Sequence, residues 1–356
     1  MNTRFSPIIT TIHSAFSHLI SQFAMSSQTL LLTGATGFIG FHVLLKALEE
    51  GWVVRAAVRS ISKSGFITNH PKIAALGRSD HLSFVEVPDI CDQNAYEDAI
   101  KGVTHVIHLA SPLPSPFLDP LTGIYEPNIN SVTSMLRAAA KEPSLKKLVI
   151  TSSAFGNSPF PPDLSQRITP EFRVPNLPGP FDSMMPAYWA GKVAATNAID
   201  TFAKDNNPSF DIAVVFPGFV FGKDQRALKA EDFVSSTNRI MLGIITGQAS
   251  PSPMPAGAVH VDDAANIHML ALKDGAPRNI GSMVPHVFDD AWDIVVKHFP
   301  KAVESGVFTK GSQPTIPVNW DASQSEKDFG LKFKTWEDMV VDAAGQYLEL
   351  SGKEKA

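Results

Sequence analysis

The sequence is poor in cysteine: Cys91 is the only one among 356 residues. A single cysteine excludes a disulfide framework within the chain and excludes a metal site built from cysteines. The sequence also lacks an apolar run of about 20 residues, the length that a bilayer-spanning helix needs. We therefore expect a protein of a reducing compartment, the cytoplasm, that does not cross a membrane.

The chain has little excess charge of either sign. Thirty Lys and Arg residues oppose 35 Asp and Glu residues, which gives a formal net charge of −5. No basic tract favours a nucleic acid or an anionic membrane surface as a partner. The apolar content of 44% is sufficient for the core of one large domain or of two smaller ones.

Residues 1–25 differ in composition from the rest of the chain. Arg4 is their only basic residue apart from histidine, they contain no acid, and apolar residues recur among them at helical spacing. An organelle-targeting role for residues 1–24 is one interpretation, although transit peptides are rich in arginine. We favour a dispensable or mobile extension, with Met25 as an alternative start.

The chain is organised around residues 29–59. An apolar run, Thr29–Thr33, leads directly into Gly34-Ala35-Thr36-Gly37-Phe38-Ile39-Gly40. The pattern predicts a strand, a glycine turn, a helix over 41–50 and a second strand over 52–58, which is the parallel unit that binds a dinucleotide. The N–H groups at the helix N-terminus would face its phosphates. An ordinary glycine-rich turn is the alternative, and a P-loop is excluded because no Gly-Lys-Ser/Thr follows.

The residues after the second strand indicate which nucleotide is bound. A protein that binds NAD has a carboxylate about 20 residues beyond the glycine turn. This chain has Arg59 there, followed by Lys63. A guanidinium can pair with a 2′-phosphate and stack on the adenine. The two residues therefore favour NADP(H), and the alternative is a pair of solvated surface cations.

Strands and helices are predicted to alternate along the remaining sequence. The predicted strands cover residues 82–87, 103–109, 145–150 and 212–216, and the predicted helices cover 96–101, 128–141, 188–202, about 230–245, 262–273, 289–298 and 335–350. This order predicts an α/β fold, a Rossmann-type doubly wound parallel sheet with a smaller C-terminal substrate-binding region. We assign 26–217 to the NADP-binding domain and 218–356 mainly to the substrate-binding region, with about 262–288 returning to the Rossmann domain.

Three polar residues form a candidate catalytic group. Tyr188 and Lys192 lie four residues apart and therefore share one face of a helix, and Ser153 follows the fifth strand. A nearby lysine cation can lower the pKa of a tyrosine, which is about 10 when unperturbed. A serine hydroxyl can hydrogen-bond a substrate carbonyl. The group could thus supply a proton, a cation and orientation beside a hydride donor.

With these motifs, the sequence resembles the extended short-chain dehydrogenases/reductases from about Thr29 to Leu350. Within them it is most similar to the dihydroflavonol reductases, the cinnamoyl-CoA reductases and the fungal NADPH-dependent aldehyde and ketone reductases. The resemblance implies that Ser153, Tyr188 and Lys192 form a catalytic triad in which Tyr188 donates a proton. The cofactor-binding positions that it implies are Gly34, Thr36, Gly37, Phe38, Ile39, Gly40, Arg59, Lys63, Asp89, Ile90, Leu109, Ala110, Ser111, Thr151, Tyr188, Lys192, Pro217 and Val220.

Other functions remain open at this point. One is an NAD(P)-dependent epimerase or a hydroxysteroid-type dehydrogenase of the same fold. Another is a non-catalytic nucleotide sensor, although such proteins typically lose the Tyr–Lys pair. We expect a small-molecule carbonyl substrate as the partner, and a monomer or homodimer.

Three groups of residues have two interpretations each. Asp89 either contacts the adenine or caps its own loop. His260 and His268 are interpreted as structural residues rather than metal ligands. The third group either walls an apolar substrate pocket or packs as loop residues. Its members are Phe155, Phe160, Phe181, Met184, Met185 and Trp189.

Overall fold

Strands and helices alternate along the part of the chain that the computed structural model describes, residues 28–177 and 179–353. The strands are β1 (Thr29–Thr33), β2 (Val53–Val58), β3 (Leu82–Glu86), β4 (His105–His108), β5 (Lys147–Thr151), β6 (Asp211–Pro217), β7 (Phe219–Phe221), β8 (Met254–Pro255), β9 (Ala258–His260), β10 (Asn279–Ser282) and β11 (Thr315–Ile316). The helices are α1 (Phe38–Glu49), α2 (Gly65–Thr68), α3 (Pro71–Ala75), α4 (Glu126–Ala139), α5 (Met184–Asn206), α6 (Ala230–Phe233), α7 (Asn238–Ile245), α8 (Val261–Leu270), α9 (Asp290–His298), α10 (Pro300–Glu304), α11 (Ser323–Phe329) and α12 (Trp336–Leu350). The interpretation of residues 1–24 lies outside the described residues.

The central sheet has seven strands in the order β10-β6-β5-β4-β1-β2-β3, and all of its pairings are parallel. The chain runs outward from β1 through β2 to β3 and then returns to place β4 on the other side of β1. The strand order therefore reverses between β1 and β4, where an open sheet of this kind leaves a crevice for a ligand. The predicted α/β fold with a doubly wound parallel sheet is confirmed.

Both faces of the sheet are buried, which explains why its strands are almost entirely apolar. Leu30 and Leu32 lie in the core cluster that includes α1 and α8 residues. Leu31, between them, points to the opposite cluster, which includes α4 and α5 residues. All three side chains are fully buried, and each such burial contributes roughly 1.5–3 kcal/mol.

Three predicted helices differ from the structure. Residues 96–101 form consecutive turns instead of a helix, because Gly102, with φ of +71°, ends a segment too short for a helical ladder. The helix predicted near 230–245 is divided into α6 and α7 by Ser236. Its Oγ donates to the Phe233 carbonyl and accepts from the Asn238 N–H. Helix α5 begins at Met184, so Tyr188 lies in its second turn rather than at its start.

The C-terminal part of the chain adds a smaller layer with its own core. Two-stranded sheets pair β7 with β9 and β8 with β11, and helices α7, α9 and α12 pack around a third apolar cluster. Helix α12 begins with a capping box in which the Thr335 and Asp338 side chains bind each other's backbone N–H groups. No described helix is both long and apolar enough to cross a membrane.

Candidate active site

The glycine turn lies at the end of β1, beside the end of β4. Gly34 has a φ of +75°, and a Cβ at this position would approach the Ala110 nitrogen to 3.0 Å. A Cβ on Gly40 would lie 2.0 Å from the Gly34 carbonyl oxygen. Only glycine fits at these positions, so the turn brings the start of α1 close to the crevice between β1 and β4.

The N-terminus of α1 is suited to an anion. Gly37 is its N-cap, no side chain caps it, and its first turn contains no acid. Its free N–H groups and the helix dipole therefore favour a negatively charged ligand such as a phosphate. Thr36, Phe38 and Ile39 complete this turn, and the dinucleotide contacts predicted for these residues stay predictions.

Lys192 is held at the end of β4 by a chain of hydrogen bonds. Its Nζ donates to the Ser111 Oγ over 2.8 Å. The Ser111 hydroxyl donates to the Asn128 Oδ1 over 2.9 Å, and the Asn128 Nδ2 donates to the Ile124 carbonyl over 2.7 Å. Lys192 is only 5% exposed, and burial lowers its pKa to about 8. The ammonium is thus fixed in position and easily deprotonated for a lysine.

Tyr188 lies one helical turn before Lys192 on α5, next to Ser153. Burial raises the pKa of Tyr188 to about 12, and a hydrogen bond with the Ser153 side chain opposes this shift. The Lys192 Nζ lies 5.6 Å from the centroid of the Tyr188 ring. The Lys192 ammonium binds Ser111 in this structure, and the lowering of the Tyr188 pKa by Lys192 stays a prediction.

Two histidines, His108 and His268, fix the ends of the central strands. The Thr33 Oγ1 accepts from the Leu109 and Ala110 N–H groups, so its hydroxyl donates to the His108 Nδ1, 3.0 Å away. The Thr151 Oγ1 lies 2.8 Å from the His268 Nε2. Leu109 and Ala110 follow β4 and Thr151 ends β5, with the Thr151 side chain bound to the protein itself, and their predicted cofactor contacts stay predictions.

The end of β2 carries Arg59, which is exposed. Lys63 ends a 3₁₀ turn, Ile61–Lys63, and its side chain lies outside what the structure describes. The Asp89 Oδ1 accepts the Cys91 N–H over 2.8 Å, so Asp89 caps its own loop. Ile90 is half-buried against the sheet. The adenine contacts predicted for Asp89 and Ile90 remain predictions.

Pro217 and Val220 lie where β6 passes into β7. Both are buried. Val220 packs with Val259 and Val261 against Phe38 and Ile39 of the glycine turn. The segment that contains these two predicted cofactor-binding residues therefore contacts the glycine turn directly.

The aromatic residues between Ser153 and Tyr188 are partly core and partly surface. Phe155 stacks on Trp189 with ring centroids 4.2 Å apart, and the Trp189 Nε1 donates to the Ser158 carbonyl over 2.9 Å. Phe160 and Met185, in contrast, are 41% and 42% exposed. The packing interpretation therefore applies to Phe155 and Trp189, and the substrate-pocket interpretation stays a prediction for the other members of the group.

Asn128 is not among the residues predicted for the site, and the contact of His268 with Thr151 was not predicted either. Asn128 is 1% exposed. It is a polar residue at a position where the four-residue spacing of Ile124 and Val132 predicts an apolar one. That break in the apolar periodicity is a signal that could have identified it. His268 offered no comparable signal, because its partner Thr151 is 117 residues away in the sequence.

His260 has a structural environment in the described part of the chain. Its Nδ1 accepts the Asp262 N–H, which caps α8, and its Nε2 lies 2.9 Å from the Asp342 carboxylate. No group of three His, Cys, Asp or Glu residues that could hold a metal occurs among the described residues.

Known sequences similar to this one cover nearly the whole chain. The NAD-dependent epimerase/dehydratase family profile matches residues 30–281. Ketoreductase CTB6 of Cercospora beticola is 32% identical over 352 residues, with 93% of this chain and 98% of the relative covered. NAD-dependent epimerase/dehydratase ALT6 of Alternaria alternata is 35% identical over 351 residues, covering 91% and 99%.

Solved structures share the fold. Yeast methylglyoxal/isovaleraldehyde reductase Gre2, complexed with NADPH, superposes with a TM-score of 0.77 at 24% identity, covering 92% of this chain and 100% of that one. Vestitone reductase from alfalfa gives a TM-score of 0.67 at 21% identity, covering 91% and 99%. At these identities the similarity establishes the fold of the chain.

Proposed function

Because the chain belongs to the NAD-dependent epimerase/dehydratase family, among the extended short-chain dehydrogenases/reductases, we propose that it is an NADPH-dependent reductase of aldehydes or ketones. The membership confirms the resemblance seen in the sequence. The observation that carries the proposal is the placement of Tyr188 and Lys192 on one face of α5, beside Ser153 and Ser111. The names of relatives, among them ketoreductases, agree with it.

The residues have separate roles in the proposed reaction. The bound cofactor supplies a hydride to the carbonyl carbon. Tyr188 donates its phenolic proton to the carbonyl oxygen, where negative charge develops. The Ser153 Oγ accepts the Phe155 N–H over 3.2 Å, and its hydroxyl hydrogen-bonds the Tyr188 phenol, so Ser153 would orient the substrate oxygen beside the proton donor. Lys192 provides a positive charge that stabilises the phenolate left on Tyr188.

We further propose that the cofactor is NADP(H) rather than NAD(H). Arg59 is exposed at the end of β2, where a guanidinium can pair with the 2′-phosphate. Lys63 follows in the next turn of the chain. Two of the structurally similar reductases are complexes with NADPH, which supports the same choice.

The same proposal assigns cofactor binding and substrate binding to different parts of the chain. Residues 26–217 would bind the cofactor and 218–356 mainly the substrate. Within about 262–288, α8 packs against α1 and β10 pairs with β6. These contacts support the assignment of this segment to the cofactor-binding part.

The proposal is tested by incubating the full-length protein with NADPH or NADH and a panel of aldehydes and ketones, following the loss of reduced-cofactor absorbance. We expect oxidation of NADPH with at least one carbonyl compound. An epimerase would instead retain NAD through purification and convert nucleotide sugars without net cofactor oxidation. Absence of turnover across the panel, with NADPH bound, would favour a nucleotide sensor.

A further inference from the structure

Arg226 reaches the glycine turn from a distant part of the chain. It lies in the loop between β7 and α6, and its Nη1 donates to the Thr36 carbonyl over 3.2 Å. Its Cζ lies 5.5 Å from the centroid of the Phe38 ring. The guanidinium therefore lies beside the two residues that flank Gly37, at the N-terminus of α1.

A buried carboxylate holds this guanidinium in place. Arg226 Nε and Nη2 donate to the Asp224 Oδ1 and Oδ2 over 2.9 and 2.6 Å, and Asp224 is fully buried. The Asp224 backbone is fixed by Gln346 of α12, whose amide binds both its N–H and its carbonyl. The Arg226 side chain is only 13% exposed. A bidentate pair of this kind fixes the orientation of the guanidinium.

The electrostatics of this arrangement favour an additional anion. Asp224 neutralises the charge of Arg226, but the uncapped N-terminus of α1 beside the pair keeps its partial positive charge. A guanidinium has five N–H donors, and four contacts to Asp224, Thr36 and Ser235 account for four of them. One Nη1 hydrogen therefore has no partner within the described residues. An anion at the turn would bind this donor and the helix N-terminus together.

We propose that Arg226 is a cofactor-binding residue that contacts the pyrophosphate of the nucleotide held by the glycine turn. The inference rests on the proposed function, because it requires a dinucleotide at this turn. The β7–α6 loop would then form part of the pyrophosphate site, and α12 would support that loop through Gln346. The pyrophosphate is common to NADPH and NADH, so Arg226 should serve both nucleotides equally.

The test measures dissociation constants of NADPH and NADH by fluorescence titration of the full-length protein. Arg226→Gln alone leaves the Asp224 carboxylate buried without its partner, which is strongly destabilising. The informative variant is therefore the double substitution Asp224→Asn with Arg226→Gln. We expect the dissociation constants of both nucleotides to rise by roughly tenfold or more in this variant, which is the effect of losing one charge-assisted hydrogen bond. The melting temperature should not fall to a matching extent. Arg226→Lys should recover part of the affinity.

Two variants serve as controls. Asp224→Asn alone keeps the guanidinium but removes the carboxylate that orients it, so it should weaken the binding of both nucleotides less than the double variant does. Arg239→Gln removes an exposed arginine from α7 and should change neither constant. Unchanged affinity in the double variant would overturn the inference, as would a loss confined to NADPH, which would place Arg226 at the 2′-phosphate.

The inference and the proposed function fail in different ways. If the wild type binds NADPH but reduces no carbonyl compound, the reductase proposal fails and the Arg226 comparison still decides the pyrophosphate contact. If the wild type binds neither nucleotide, both are overturned.

Discussion

The environments of Tyr188 and Lys192 disfavour the charged form of each side chain. Burial raises the pKa of Tyr188 to about 12 and lowers that of Lys192 to about 8. The phenol is therefore protonated at neutral pH, as a proton donor must be. Once the proton leaves, a phenolate in this buried position needs a positive charge nearby, and Lys192 is the cation one helical turn away.

Replacement of Tyr188 by Phe is predicted to remove carbonyl reduction. The ring would keep its edge-to-face contact with Phe155, 6.3 Å away, so the fold should not change. Loss of the proton donor should lower kcat by about 10²–10⁴. Steady-state kinetics with one active substrate, NADPH titration and a melting curve test this. Tyr347→Phe, in the C-terminal core, is the matched control and should retain wild-type turnover. If Tyr188→Phe keeps more than about a tenth of the activity, another group supplies the proton.

Replacement of Arg59 by Ala is predicted to weaken NADPH binding selectively. A charge-assisted hydrogen bond contributes roughly 1.5–3 kcal/mol, so the dissociation constant of NADPH should rise about tenfold or more. NADH lacks the 2′-phosphate, so its binding should change little. Titration of the wild type and the variant with both nucleotides measures this. An equal loss for both would mean that Arg59 supports only the fold.

Among the helices and strands, the sequence predicted the ones whose bounds depend on local patterns. The boundaries of β1 agree with the structure because an apolar run ends at a glycine turn. The predicted helix over 96–101 was wrong because two turn-forming residues, Asp92 and Gly102, dominate a short segment. Tyr188, Lys192 and Ser153 could be placed near one another because strand ends share one edge of a parallel sheet.

Contacts between distant segments could not be predicted in the same way. Arg226 and Thr36 are 190 residues apart, and Asp224 and Gln346 are 122 apart. No periodicity or spacing connects such residues. They become neighbours only because the loop after β7 crosses the end of β1.

Replacement of Gly40 by Ala is predicted to disturb the start of α1. The new Cβ would lie 2.0 Å from the Gly34 carbonyl oxygen, so the helix and the turn must separate. We expect a loss of stability of roughly 1–3 kcal/mol together with weaker nucleotide binding. Urea unfolding and NADPH titration measure the two effects.

Gly345→Ala is the matched control for this substitution. Gly345 lies in the interior of α12, and its new Cβ would be 3.7 Å from the Phe299 ring, which is an ordinary contact. Alanine is the better helix former by roughly 1 kcal/mol, so this variant should be neutral or more stable. If Gly40→Ala behaved in the same way, the turn would not require close approach of the helix.

Across the whole molecule, ion pairs connect the sheet region to the C-terminal helices. The Asp262 carboxylate of α8 lies 3.1 Å from the His42 Nδ1 of α1 and 2.9 Å from the Lys334 Nζ that precedes α12. His260 lies 2.9 Å from Asp342 of α12. The hydrogen bond from His260 lowers the pKa of Asp342. The ionised Asp342 therefore contributes to stability at neutral pH. This contribution is lost only in acid, as the pH falls below about 4, the ordinary pKa of an aspartate.

Four buried histidines make the free energy of unfolding depend more strongly on pH than Asp342 does, and they act at a higher pH. Burial lowers the pKa to about 4 for His105 and His268 and to about 3 for His108 and His286. His268 shows how the neutral form is accommodated. In the neutral ring the Nδ1 donates to the Ala264 carbonyl, and the Nε2 can accept from the Thr151 hydroxyl, 2.8 Å away.

The free energy of unfolding is predicted to fall as the pH decreases from about 6.5 towards 4. Between the lowered folded-state values and the ordinary histidine value of about 6.5, the unfolded chain binds protons that the folded chain does not. Each of the four histidines can therefore remove up to about 1.4 kcal/mol per pH unit. Urea unfolding at several pH values measures the slope, and His286→Gln should reduce it by about one proton. A stability that stays constant between about pH 7 and 5 would mean that these rings are protonated in the folded protein, despite their burial.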